Sequence, residues 1–121
     1  MSKCFLGTEL KLLVSIEPIG GKYMKDYDFK IEVYTSTPEK GITASKIGDT
    51  ESGWLRRNNT DSTGGSYYVL VDTGKIGIGK VKCKVTAYIP DTDFGGDGGT
   101  PDATRTEIDI VNTGIEVIKT I

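Results

Sequence analysis

Hydrophobic residues recur at every second position in run after run of this chain. Leu10, Leu12, Val14 and Ile16 alternate with Glu9, Lys11, Leu13, Ser15 and Glu17, until Pro18 and Gly20-Gly21 end the pattern. Period two is the signature of a strand, because successive side chains point to opposite faces of a sheet. Tyr27, Phe29, Ile31 and Val33 alternate in the same way with Asp28, Lys30, Glu32 and Tyr34. The clearest run sets Val81, Cys83, Val85, Ala87 and Ile89 against Lys82, Lys84, Thr86 and Tyr88. Tyr67, Val69 and Val71 precede it, Ile108 and Ile110 mark a further strand, and Ile115 to Ile121 form the last.

Breaks rich in Gly and Asp separate these runs at 18–26, 35–41, 72–80, 90–105 and 112–114. No segment of useful length carries a helical period. The pattern predicts one domain over residues 1–121, all-β, an immunoglobulin-like antiparallel β-sandwich of about seven strands. Trp54 lies in "ESGWLRRNNTDSTGGS", an irregular stretch with no clean period, so the buried Trp of true antibody domains is not expected.

Composition adjusts this picture in a few places. A hydrophobic content of 36% suits strands that each show one face to water. Sixteen glycines against four prolines point to tight turns. A net charge of −2, without a basic patch, argues against a dedicated nucleic-acid binder. Histidine is absent, which removes Ser-His-Asp and Cys-His catalysis and the commonest zinc ligand. Cys4 and Cys83 form no C-x-x-C pair and read as small apolar residues of a reduced protein. Glu9 and Lys11 interrupt the apolar stretch near the start, so neither a signal peptide nor a membrane span is expected and the chain reads as soluble and made in the cytoplasm.

Three stretches carry candidate chemistry. In "VLVDTGKIGIGKV", 69–81, Asp72-Thr73-Gly74 matches the catalytic turn of a dimeric aspartic protease, in which two carboxylates share a proton. Lys75 speaks against this, because a cation there favours both ionised carboxylates. Gly74 to Lys80 also matches seven positions of a phosphate-binding P-loop. That loop must open a helix and place Ser or Thr next, and here Val81 begins a strand. The stretch is therefore expected to be a hairpin connection between two strands, with Ile76 and Ile78 closing the end of the core.

In "DTDFGGDGGTPD", 91–102, Asp91, Asp93, Gly96 and Asp102 occupy positions 1, 3, 6 and 12 of a calcium loop. Gly95 supplies no ligand at position 5, the flanks are not helical, and the last ligand is Asp rather than a bidentate Glu. A solvated strand connection is the competing reading, and no metal or other cofactor is assigned. Trp54, Tyr67-Tyr68 and Arg56-Arg57 form the third set, aromatic and cationic residues of the kind enriched at interfaces.

The order of features carries a resemblance. The stretch "YYVLVDTGKIGIGKVKCKVTAYIPDTDF" leads into a Gly/Asp loop, then "RTEIDI" at 105–110 and "TGIEVI" at 113–118. This resembles small virion structural proteins encoded by phages and prophages of Bacteroides and its relatives, over roughly residues 5–118, and is similar to the N-terminal β-sandwich of phage baseplate upper proteins. The resemblance implies a non-enzymatic module of the virion, made in the host cytoplasm, as a head fibre or capsid-decoration subunit of the crAss-like type. It implies a homo-oligomer that docks on other capsid, fibre or baseplate proteins, without nucleic acid or membrane, and it brings no catalytic residues. "GGDGGTP" is longer than the resemblance would suggest at that loop. Ile115, Val117, Ile118 and Ile121 are expected to pair with a partner. The alternatives are a carbohydrate- or host-surface-binding sandwich, calcium-loaded through 91–102, and a dimeric aspartic protease using Asp72.

Overall fold

A computed structural model describes residues 2–119 and arranges them as an all-β sandwich of two sheets. The strands are β1 (Ser2–Phe5), β2 (Glu9–Ser15), β3 (Asp28–Tyr34), β4 (Ile42–Ile47), β5 (Thr50–Ser52), β6 (Leu55–Arg57), β7 (Ser66–Asp72), β8 (Gly79–Pro90) and β9 (Thr104–Ile118). The larger sheet has the order β1-β9-β8-β3-β4-β5 and the smaller β2-β7-β6.

The alternation read from the sequence decides which face each sheet buries. On β8, Val81, Cys83, Val85, Ala87 and Ile89 all face the core, and on β3 Phe29, Ile31 and Val33 lie directly across from Ala87, Val85 and Cys83. The smaller sheet answers with Tyr67, Val69 and Val71 of β7 and Leu55 of β6, all buried. Each such side chain is worth roughly 1.5–3 kcal/mol on full burial. Phe29 sits edge-on to both Tyr27 and Tyr67, with ring centres 6.4 and 5.1 Å away, the arrangement favoured by the ring quadrupoles. Burial pushes the Tyr27 hydroxyl up to about 12, with Glu107 and Asp26 adding to the shift, and raises Tyr67 in the same direction.

Several expectations are corrected. There are nine strands among the described residues rather than about seven, because the irregular stretch 48–66 contains β5 and β6, and β1 and β4 are strands of their own. The sandwich is not wholly antiparallel, since β1 runs parallel to the end of β9, with Cys4 paired to Val117. Ile108, Ile110 and Ile115 belong to one strand, which passes through the break expected at 112–114. Gly114 at φ +78° and a register shift between Lys80 and Lys82 absorb that irregularity as a bulge.

The C-terminal apolar residues are likewise claimed within the chain. Val117 is fully buried, and 115–118 pair with β1, while Ile121 lies outside the described residues. The segment 72–80 is not a hairpin either. β7 and β8 belong to different sheets, so this connection crosses from one to the other. Ile76 does close the core end, whereas Ile78 is exposed.

Both cysteines are free, Cys83 buried and Cys4 half-buried against the core on an edge strand. Burial lifts the Cys83 thiol to about 11, so at mildly alkaline pH it holds almost no thiolate, the nucleophilic form. The expected outcome of maleimide labelling is modification at Cys4 alone in the native protein, and at both thiols in denaturant. Equal native labelling of both residues, resolved by peptide mass spectrometry, would show that β8 is not sealed.

Candidate functional site

Asp72-Thr73-Gly74 begins a single 3-10 turn at the exit of β7. Asp72 accepts a hydrogen bond from the Gly74 N–H at 2.9 Å, the ordinary role of Asp at the start of such a turn. Thr73 is the buried member. Its Oγ1 donates to the Thr8 carbonyl at 2.7 Å and accepts from the Gly7 N–H at 2.9 Å, tying the β1–β2 turn to the crossover. Thr35 Oγ1 donates to the Ile76 carbonyl at 2.7 Å and anchors the other side. After Gly79 the chain enters β8, so no helix N-terminus is available to hold phosphate.

The loop 91–103 is closed by its own bonds, from Asp91 N–H to the Ala103 carbonyl and from Thr100 N–H to the Thr92 carbonyl. Asp91 accepts from the Asp93 N–H through one oxygen, and its other oxygen lies 3.3 Å from Arg105 Nε. Arg105 also pairs with Glu107 at 2.8 Å. The leading carboxylate of the calcium spacing is thus engaged by a guanidinium. Among the described residues no three Cys, Asp or Glu side chains stand together as metal ligands.

The aromatic and cationic set divides. Tyr67 is in the core, Tyr68 is half-buried on the outer face of the smaller sheet, and Trp54, Arg56 and Arg57 are exposed. On that outer face Tyr68 is flanked by Leu13 of β2 and Arg56 of β6, and Lys11 Nζ lies 4.2 Å from the centre of its ring. The loop between β6 and β7 is well built. Asp61 accepts from the hydroxyls of Thr63 and Ser66 at 2.6 and 2.7 Å, and these bonds hold its carboxyl below the usual carboxylate range.

Where β5 passes to β6, Gly53 and Trp54 both take left-handed backbone angles, φ +76° and +63°. Gly53 is required there, because a Cβ would stand 2.1 Å from the Thr43 carbonyl oxygen. Trp54 is the only non-glycine residue with positive φ among those described, and its side chain is 60% exposed. Its carbonyl accepts from the Leu70 N–H, which ties the Trp54 backbone to β7.

Beside it opens a groove of about 390 Å³, lined by Trp54, Leu70, Glu9, Lys11, Asp72 and Lys75 among others. Glu9 and Asp72 are direct cross-strand partners on one face, a like-charged pairing that weakens a sheet. Sequence reasoning found Trp54, Asp72 and the neighbouring Lys75, but not Glu9 or Lys11 beside them. The missing signal was the β2–β7 register, which brings positions 9 and 72 together.

By fold, then, the protein is a two-sheet all-β sandwich with one aromatic, charge-balanced groove. No protein-family model matches the chain, and no curated protein or solved structure matches it significantly.

Proposed function

We propose that the chain is a non-enzymatic virion structural protein, a head fibre or capsid-decoration subunit of a phage, that assembles with its own copies and docks on other capsid, fibre or baseplate proteins. The observation that carries this reading is the open edge of β9. Only 115–118 of that strand pair with β1, and 104–114 have no strand on that side among the described residues. A row of unpaired N–H and C=O groups of that length is a template for another strand.

The side chains along it suit contact rather than solvent. Ile108 and Ile110 are 59% and 56% exposed on the outer face of the larger sheet, across from Thr86 and Lys84. Exposed Val111 of β9 and Leu13 of β2 line a cleft of about 360 Å³ where the two strands approach each other. A building block that joins neighbours by strand addition uses these features directly. The order of motifs from Tyr67 to Ile118, similar to that of phage structural proteins, supports the same reading.

Mass spectrometry of purified phage particles is expected to find the chain at many copies, and its absence from them overturns the virion assignment. Light scattering of the pure protein is expected to show an oligomer that Ile108→Lys with Ile110→Lys converts to a monomer at unchanged melting temperature. A wild-type monomer at micromolar concentration would sink self-assembly through β9.

A further inference from the structure

We propose that the groove at Trp54 is a binding site for a neutral carbohydrate, with the indole as the stacking platform. This inference is independent of the assembly reading, since none of the residues that line the groove lies on β9. Two local rules of stability are broken here at once. A bulky side chain occupies a left-handed backbone position that glycine fills without steric cost, and two carboxylates face each other across β2 and β7. Natural sequences concentrate such departures at functional sites.

The chemistry of the lining selects the ligand. Trp54 keeps 60% exposure although the Arg56 guanidinium lies 5.8 Å from the indole centre. An exposed indole offers an apolar plane, and one face of a pyranose ring is a plane of C–H groups. Around it stand two carboxylates, Glu9 and Asp72, and two ammonium groups, Lys11 and Lys75. None of the four is in a salt bridge among the described residues. Asp72 uses one oxygen for the Gly74 N–H and Lys11 lies over the Tyr68 ring, which leaves the other Asp72 oxygen, Glu9, and the ammonium N–H groups as acceptors and donors. Sugar hydroxyls donate and accept equally well, and so satisfy both kinds of group. A phosphate or sulfate would meet the two carboxylates, and an ammonium ligand the two lysines. The balanced set therefore favours an uncharged polyol. The groove volume lies in the range of small-ligand sites.

The chain has a single tryptophan, so its fluorescence reports on the site alone. The test titrates the full chain with gluco-, galacto-, manno- and xylo-oligosaccharides, and with a heparin oligosaccharide as the anionic arm. A saturable shift of emission to shorter wavelength with at least one neutral sugar is expected. By calorimetry, Glu9→Gln is expected to weaken that binding about tenfold or more. Trp54→Gly is expected to abolish it while the melting temperature stays the same or rises, which separates a lost platform from a lost fold. No response to any neutral sugar, a response to heparin alone, or binding retained in Trp54→Gly each overturns the proposal.

Discussion

Thr73→Val is expected to lower folding stability by about 2 kcal/mol, read as a smaller urea midpoint at unchanged slope. The substitution keeps shape and removes a hydroxyl that is wholly buried and engaged twice. The Gly7 N–H then loses its acceptor, whereas the Thr8 carbonyl keeps the bond it accepts from the Thr73 N–H at 3.1 Å. One buried hydroxyl makes both of these bonds, and losing the two together at about 1 kcal/mol each is why the loss exceeds that of a single ordinary hydrogen bond. Asp72→Asn provides the contrast. Asp72 is exposed, and an Asn at the same place still accepts from Gly74 N–H, so the unfolding midpoint is expected to move far less. A neutral Thr73→Val would show that this hydroxyl does not hold the β1–β2 turn to the crossover.

At the groove, Gly53→Ala is expected to be the more damaging change, at about 3 kcal/mol or more. The added Cβ would meet the Thr43 carbonyl oxygen at 2.1 Å and Ala44 Cα at 2.8 Å, both backbone atoms that cannot swing aside, at φ +76°. The residue next to it behaves oppositely. Trp54→Gly removes a left-handed penalty of about 1–2 kcal/mol and adds roughly 0.5–1 kcal/mol of unfolded-state entropy, leaving a small net gain. Thermal unfolding of the two variants should thus move in opposite directions. A Trp54→Gly variant that melts well below the parent would mean that the indole supports the fold, and its exposure would need another explanation.

The alternating runs were legible because burial on one face leaves a period of two in the letters. The assignments of β2, β3, β7 and β8, and their core residues from Leu10 to Ile89, follow from that period alone. β5 and β6 were not legible for a physical reason. Each has three residues, too few to establish a period, and the Gly53-Trp54 turn between them moves the chain from one sheet to the other. In the sequence Gly114 resembles punctuation and divides β9 into two strands, whereas in the fold a glycine lets one strand bulge and continue.

The overlap of enzyme motifs at 69–81 has the same origin. Val, Asp, Thr and Gly are the letters of any strand that ends in a turn, and their local order says nothing about which sheet receives the next strand. Val81 at the head of a strand was enough to exclude a phosphate-holding helix. That the turn joins two sheets, with Thr73 as its buried tie, depended on where β7 and β8 find their partners.

Local alternation of apolar and polar side chains therefore specified the class of fold and the faces that are buried, since each is a property of neighbouring residues. The parallel docking of β1 on β9, the open edge at 104–114 and the meeting of Glu9, Asp72 and Trp54 around one groove were decided in three dimensions. Those features are pairings between residues as many as 113 positions apart, as Ser2 and Ile115 are, and such register is selected by the packing of the whole sandwich rather than by any local run.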